Sequence, residues 1–484
     1  MLINFSFSNF KSFKDPQQFS LERTGVAQKN EPYDWPHNEL STVAAIYGGN
    51  ASGKSSFIEA LSFVSHYVAR GFSDGFDLSK ELHPFALDKS SSSAISSFLV
   101  DFLGQDGRRY RYELDLDGPK GVVTYESLRI FSEPGAARVC SSRLFEREAR
   151  KGKGATYGYS YGNLFRGRRS VYEDAVKPGT PMLSVMAAMN NQTVMPAFEF
   201  LAHQVGFYDA SLYEDELYGI TEDLYKNKGG AEALSQLIAG SGFGIGAVQA
   251  RDQLSDLYDA SQETAGAGDS PYEEYLSSVL MVQDPTMDKE ERLQKAKKLA
   301  RVNPDQAIPN LKLAFTHQGK DCKAVFNRSQ ESNGTLAMLA FFSMALRAIH
   351  NGEVAIVDEI DTSLHPILVE QLVELFKDPA TNPNEAQLIF TTHDTSLITK
   401  SGNDERPLAR DQIWFVEKDC YGAATLYPLT SVQSREAENH GRNYLHGIYG
   451  AIPDPVFHER FAHVIQLLNQ KPEPDAPTEE AEDE

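Results

Sequence analysis

The first stretch of the sequence that could do chemistry is a glycine-rich loop, Gly48-Gly49-Asn50-Ala51-Ser52-Gly53-Lys54-Ser55. It matches the P-loop pattern, in which glycines, a lysine and a serine stand at fixed spacing. The glycine backbone can wrap around a phosphate chain, and the amides that begin the next helix attract anions. Lys54 can reach the β- and γ-phosphates, and the Ser55 hydroxyl can ligate Mg²⁺. The residues expected to bind the nucleotide are Gly48, Asn50, Gly53, Lys54, Ser55 and Ser56.

The segments on either side of this loop favour the same interpretation. The apolar run Thr42–Tyr47 predicts a buried strand. After the loop, apolar residues recur at helical spacing, which predicts a helix with one buried face. The alternative is an ordinary glycine turn before a helix. Because strand, loop and helix occur in the order that a P-loop requires, we expect the chain to bind a nucleoside triphosphate.

A second group of chemically capable residues follows an apolar strand near position 355. The stretch Glu353–Glu359 is apolar at its centre and ends in two carboxylates. Asp358 is placed to hold Mg²⁺, directly or through water, and Glu359 to orient and deprotonate the attacking water. The alternative is that both acids simply cap a strand. Two carboxylates at the end of a buried strand are costly unless a metal or water uses them, which favours the catalytic interpretation.

Two further elements supply polar groups to the same chemistry. The predicted strand Gln387–Thr392 ends at His393, which could donate a hydrogen bond to a γ-phosphate or could be purely structural. Ser332 and Gly334 precede the apolar helix predicted over Leu336–Ile349. A serine and a glycine there could bind an anion, or the serine could only cap its own helix.

The remaining segments predict a head divided by an insertion. Three alternating strands near residues 97–131 predict an antiparallel meander, Tyr157–Asn163 a turn region, and 181–240 a helical stretch. We expect the first half of the head over 1–175 and a mainly helical insertion over 176–306, with a flexible linker near 262–270. The second half is expected over 307–470, followed by a disordered acidic tail over 471–484.

Composition narrows the class of protein. The 484 residues carry a net charge of −22, which opposes non-specific DNA binding by the chain as a whole. No apolar run approaches the roughly 20 residues of a membrane span, and the first residues predict a strand rather than a signal peptide. The three cysteines are far apart and lack the spacing of a metal site. We therefore expect a cytoplasmic protein that does not associate with a membrane.

The motifs occur in the order found in the head of an ABC-type ATPase, which the chain resembles. Ser332 lies 277 positions after Ser55, as in the RecF, SMC and OLD-like branch, where insertions split the head. The sequence is more similar still to the RloA and abortive-infection-L (AbiLii) type of AAA-family ATPase, which is related to the PARIS-system ATPase. That similarity covers about 1–150 and 310–455. The stretches that carry it are Asn9–Phe13, Ala44–Gly48, His83–Phe85, Thr391–Asp394, Asp411–Phe415 and Tyr449–Pro453.

The resemblance implies an α/β fold, with a mixed sheet flanked by helices, an antiparallel β lobe and a mainly helical insertion. It implies an ATPase that uses ATP and Mg²⁺ and closes as a homodimer or larger oligomer, with Ser332 and Gly334 completing the partner's site. Lys11 stands where such ATPases contact the nucleotide, although arginine is commoner there. Asn333 departs from the usual signature, and no glutamine is evident for the loop that usually completes Mg²⁺ coordination.

The same resemblance implies a role in bacterial phage defence beside an effector, often a Toprim-type nuclease or a toxin, with a phage protein or DNA as trigger. One alternative is a RecF-like or SMC-like ATPase that repairs or clamps DNA without a toxin. A self-sufficient nuclease would need an acidic cluster such as Glu113–Asp117, which reads better as the exposed face of a strand. Basic residues around Arg109 and Arg166 could contact nucleic acid or a phage protein, or simply solubilise the surface.

Overall fold

A computed structural model of the chain describes the two predicted halves of the head and part of the region between them. The described residues are 1–23, 37, 39–73, 76–132, 140–150, 157–208, 213–226, 229–240, 244–252, 288, 295, 311–400, 406–433, 438–451 and 457–469. The predicted linker near 262–270 and the acidic tail over 471–484 lie outside them.

Sixteen strands fall within these described stretches. They are β1 Leu2–Ser8, β2 Gln17–Ser20, β3 Val43–Tyr47, β4 Ser96–Leu103, β5 Arg109–Asp117, β6 Val122–Phe131, β7 Ser141–Ala149, β8 Tyr157–Tyr161, β9 Val205–Tyr208, β10 Ile245–Asp252, β11 Leu311–Gln318, β12 Lys323–Asn327, β13 Val354–Val357, β14 Gln387–Thr391, β15 Ile413–Lys418 and β16 Ala424–Pro428.

Eleven α-helices lie in the same part of the chain. They are α1 Lys54–Arg70, α2 Leu78–Glu81, α3 Arg169–Ala175, α4 Met182–Ala188, α5 Met195–His203, α6 Tyr213–Tyr225, α7 Gly229–Gly240, α8 Asn333–Asn351, α9 Pro366–Lys377, α10 His440–Leu445 and α11 Phe457–Asn469. None of them is both long enough and apolar enough to cross a membrane.

The residues predicted to do chemistry follow the carboxyl ends of parallel strands in the main sheet. Its strand order is β16-β15-β3-β14-β13-β9, with parallel pairing from β15 to β9 and antiparallel pairing between β15 and β16. β3 is buried throughout, and its alternate residues face two different cores, which explains its unbroken apolar sequence. The loops after β3, β13 and β14 all leave from the carboxyl end of the sheet, where α/β sheets bind ligands.

An antiparallel lobe lies beside this sheet, as predicted. Its strand order is β2-β1-β4-β5-β6-β7-β8. The prediction of a turn over Tyr157–Asn163 was wrong, because Tyr157–Tyr161 forms β8 and pairs with β7. Glycine and tyrosine in that stretch suggested a turn, but the edge of β7 offers hydrogen-bonding groups that an extended chain can pair with. The mixed sheet, the helices and the β lobe confirm the predicted fold class.

The stretch 181–240 contains the helices α4 to α7, as its periodicity predicts, and also a strand. Within it, Val205–Tyr208 forms β9 and pairs in parallel with β13. Residues of α4 and α5 pack in the same core as the buried face of α1. A third sheet, in the order β10-β11-β12, follows these helices. Four apolar residues are too few for periodicity to distinguish a strand from a helical turn, which is why β9 was not predicted.

Candidate functional site

The P-loop is shaped by two glycines that pack against β15. Gly53 has φ 118°, a left-handed backbone conformation that glycine adopts without strain. At Gly48, an added Cβ would lie 2.6 Å from the Val416 carbonyl oxygen. β15 therefore lies so close to the P-loop that a side chain at Gly48 would have no space. These contacts explain why the loop that joins β3 to α1 needs glycine at both positions.

A cavity of ≈ 330 Å³ opens directly above this loop. Its wall contains the first residues of α1, whose backbone amides attract anions. Glu359, just after β13, and Lys418, at the end of β15, also contribute to the wall. The lining residues are Asn50, Ala51, Ser52, Gly53, Lys54, Ser55, Ser56, Glu359 and Lys418. The structure thus places the predicted nucleotide-binding residues Asn50, Gly53, Lys54, Ser55 and Ser56 around one concave surface.

Lys54 is held by hydrogen bonds at the base of the P-loop. Its ammonium donates to the carbonyl oxygens of Gly48 at 2.9 Å and Gly49 at 3.2 Å, and lies 3.1 Å from His393 Nε2. Burial lowers the pKa of Lys54 below its ordinary value, while the carboxylates of Glu359 and Asp358 act in the opposite direction. Lys54 therefore connects the P-loop to the residues that follow β13 and β14.

The two acids after β13 are held in place by a threonine that ends β14. The Thr391 hydroxyl donates to Asp358 Oδ1 at 2.5 Å and accepts the Glu359 amide at 2.7 Å. The Asp358 amide in turn donates to the carbonyl oxygen of Tyr208 on β9. Glu359 has φ 53°, an uncommon conformation for a side-chain-bearing residue. Neighbouring strands therefore fix the Asp358 carboxylate and the backbone of Glu359.

The donor groups near the P-loop fit a magnesium ion. Mg²⁺ prefers oxygen ligands and is usually held by one or two protein groups together with phosphates and water. The Ser55 hydroxyl and the Asp358 carboxylate supply such oxygens. Thr391 occupies Asp358 Oδ1, and no described residue hydrogen-bonds the other carboxylate oxygen. Within the described stretches, no group of three or more acidic, histidine or cysteine side chains gathers as a metal site.

His393 lies just beyond β14 and beside Lys54. Its backbone amide donates to Asp361 Oδ2 at 3.2 Å. Burial, followed by the nearby Lys54 ammonium, lowers the pKa of His393, while Asp361 and Glu359 oppose the shift. Burial and the Lys54 ammonium therefore favour the neutral form of the ring. If Nε2 accepts the Lys54 proton, Nδ1 carries the ring proton and can donate it elsewhere.

Ser332 and Gly334 begin α8, away from this cavity. The Ser332 hydroxyl caps the helix by accepting the Thr335 amide at 3.1 Å. An added Cβ at Gly334 would lie 3.0 Å from the Ser363 carbonyl oxygen, in the loop after Glu359. Neither residue lines the cavity above the P-loop. Ser332 therefore caps α8, and phosphate binding in a partner's site stays a prediction.

Lys11 lies near the P-loop but is engaged elsewhere. Its ammonium forms an ion pair with Glu59 of α1 at 2.5 Å, and its amide donates to the His83 carbonyl oxygen. The adjacent Ser12 lies closer to the loop, since its hydroxyl would be 2.8 Å from an added Cβ at Gly53. The contact between Lys11 and a nucleotide stays a prediction.

The acidic and basic clusters named from the sequence are paired in part within the chain. Within the acidic stretch of β5, Asp117 pairs with Lys120 at 2.5 Å. Arg109 and Arg111 both pair with the buried carboxylate of Asp101, at 2.9 and 2.7 Å. Asp117 is buried while Glu113 and Asp115 are half-buried, so the predicted exposed strand face is only partly accessible. The pairing of Arg109 and Arg111 agrees with a structural role for these two basic residues.

The sequence did not single out two residues of this site. Thr391 could have been noticed as a polar residue at the end of an apolar strand, next to His393. Lys418 carried no local signal, because pairing between β15 and the distant β3 brings it to the cavity.

Comparison with known proteins gives one family match. The profile described as "AAA domain, putative AbiEii toxin, Type IV TA system" matches residues 43–399. The Smc head domain of Pyrococcus furiosus, solved bound to the C-terminal domain of ScpA, is 14% identical with a TM-score of 0.35, covering 93% of this chain and 99% of that one. The recombination mediator RecF with ATP is 12% identical with a TM-score of 0.29, covering 88% and 97%. No curated protein matches the sequence.

Proposed function

The chain belongs to the family of AAA domains described as a putative AbiEii toxin of a type IV TA system, and from that premise we propose that it hydrolyses ATP to control an effector in bacterial phage defence. In this proposal it acts in the cytoplasm, and ATP with Mg²⁺ drives closure of a homodimer or larger oligomer. The shape change is the output, because phosphoryl transfer to water needs mainly positioning and charge stabilisation.

The observation that carries the ATPase proposal is the convergence of three strand ends on the P-loop. β3, β14 and β13 are adjacent and parallel. Lys54, Glu359 and His393 follow their carboxyl ends and so lie at the same end of the sheet. In the proposed reaction Lys54 binds the β- and γ-phosphates, Glu359 activates water and His393 donates to the γ-phosphate. Ser55 and Asp358 would hold Mg²⁺, which would neutralise charge on the phosphates.

The position of α8 supports a site shared between two chains. Ser332 and Gly334 do not line the cavity of their own chain, although a shared site needs them near a γ-phosphate. We propose that they reach the cavity of the partner chain when ATP closes the dimer. Each ATP would then lie between a P-loop of one protomer and the start of α8 of the other.

A mixing experiment tests both proposals. Lys54→Ala and Ser332→Arg should each abolish steady-state ATP turnover. In a mixed dimer both changes fall at one site and leave the other intact, so random exchange should restore about a quarter of wild-type activity. Ser332→Ala serves as the stability control, because it measures what the cap contributes to folding, about 1 kcal/mol, without adding bulk.

The outcome separates capping from a shared site. If mixing restores nothing, with subunit exchange shown by tagged co-purification, the shared-site proposal is wrong. Wild-type ATP turnover by Lys54→Ala would instead show that residues 48–55 are not a nucleotide-binding P-loop.

The defence proposal rests on the family and needs its own experiment. Phages should form fewer plaques on a bacterial host that expresses this protein together with the product of the neighbouring gene. The Lys54→Ala change should remove this protection. Protection by the chain alone would contradict control of a separate effector. ATP-dependent DNA binding without any effect on phage would favour the RecF-like or SMC-like alternative instead.

A further inference from the structure

Lys418 ends β15 on the side of the strand that faces the P-loop. β15 runs parallel to β3, with Phe415 opposite Tyr47, and continues past the point where β3 becomes the P-loop. Alternate residues of a strand share a face, so Lys418 lies on the same face as Val416. Val416 Cγ1 would be 3.4 Å from an added Cβ at Gly53, which identifies that face as the one toward the P-loop.

The Lys418 ammonium has no partner in the described part of the chain. The nearby lysines are already engaged, since Lys11 pairs with Glu59 and Lys14 with Asp88, each at 2.5 Å. Lys418 instead contributes to the wall of the cavity above the P-loop. Lys418 is exposed to solvent, so its ammonium is free to bind an anion that enters the cavity without breaking an ion pair first.

We propose that Lys418 is a second nucleotide-binding lysine, whose ammonium contacts the phosphate chain of the nucleoside triphosphate in the P-loop. The inference rests on the proposed ATPase function and extends it. In the main sheet β3 lies between β15 and β14, so Lys418 and His393 approach the P-loop from opposite sides. A lysine ammonium is a compact point charge that suits phosphate oxygens. The phosphate chain would then be held by Lys54 on one side and by Lys418, at the end of β15, on another.

The test is equilibrium binding of a non-hydrolysable ATP analogue to the full chain at low and high salt. Lys418→Ala should weaken binding by about 5- to 30-fold at low salt, because one charged contact to phosphate is lost. Lys418→Arg keeps the charge and should stay within a few-fold of wild type. Lys80→Ala is the matched control, because Lys80 is an exposed lysine of α2 that pairs with Asp77.

The salt dependence separates a charge contact from damage to packing. The deficit of Lys418→Ala should shrink as salt screens the ammonium. Wild-type affinity in this variant, or a deficit that does not change with salt, overturns the inference. If Lys54→Ala abolishes binding and Lys418→Ala does not weaken it, only this inference fails. If the wild-type chain binds no analogue, the proposed function fails as well.

Discussion

Replacing Thr391 by valine tests whether Asp358 and Glu359 depend on the strand beside them. Thr391 is fully buried, and its hydroxyl both donates to Asp358 and accepts the Glu359 amide. Valine keeps the shape but leaves the amide and one carboxylate oxygen without that partner. A hydrogen bond to a charged group contributes about 1.5–3 kcal/mol, and an unsatisfied buried amide costs about 1–3 kcal/mol. Because the two losses overlap, we expect about 2–4 kcal/mol less stability.

Thr391→Val should also lower the rate of ATP turnover by more than the loss of folded protein explains. Residues that orient a metal ligand typically contribute about 10- to 100-fold in activity or metal affinity. We therefore expect Thr391→Val, assayed well below its melting temperature, to turn over ATP about 10- to 100-fold more slowly and to need more Mg²⁺. Thr391→Ser is the matched control, because it keeps the hydroxyl and loses only a methyl group. Wild-type turnover and Mg²⁺ dependence in Thr391→Val would refute this account of the site.

Two more outcomes follow from the geometry. Glu359→Gln should bind ATP but hydrolyse it about 10²–10⁴-fold more slowly, and native mass spectrometry should show the closed dimer accumulating with ATP; assembly that ignores ATP would contradict gating. Burial lowers the pKa of His440 to about 4. Its imidazole therefore stays neutral in the folded chain, whereas in the unfolded chain it takes up a proton below pH 6.5. Urea unfolding should therefore show stability falling between pH 6.5 and 4, by up to about 3 kcal/mol from this group, and His440→Gln should remove that part of the loss; an unchanged pH profile in the variant would count against it.

Local sequence was sufficient for those parts of the site that a single segment builds. The P-loop, the acids after β13 and the histidine after β14 each follow an apolar strand, and their residue types are tied to one chemistry. The β meander was predictable for a similar reason, since alternation and turn residues agree along β4, β5 and β6.

Residues that depend on distant pairing were not predictable in this way. Lys418 reaches the cavity because β15 pairs with β3, more than 360 residues earlier. β9 is a strand because β13 offers it an edge, and its own four residues do not distinguish strand from helix. In both cases the deciding contact comes from a segment that no local window contains.

The position of β3 between β14 and β15 also affects how the protein is made. β3 leaves the ribosome early, but its neighbour Leu388 follows Val43 by 345 residues. At ~5–20 residues per second, the P-loop strand waits about 17–70 s for that partner. During this interval its apolar residues lack the strands that cover them, which exposes the nascent chain to aggregation and to chaperones. The acids and the histidine arrive with the late strands, so a chain cut off by interrupted translation cannot assemble the proposed hydrolytic site.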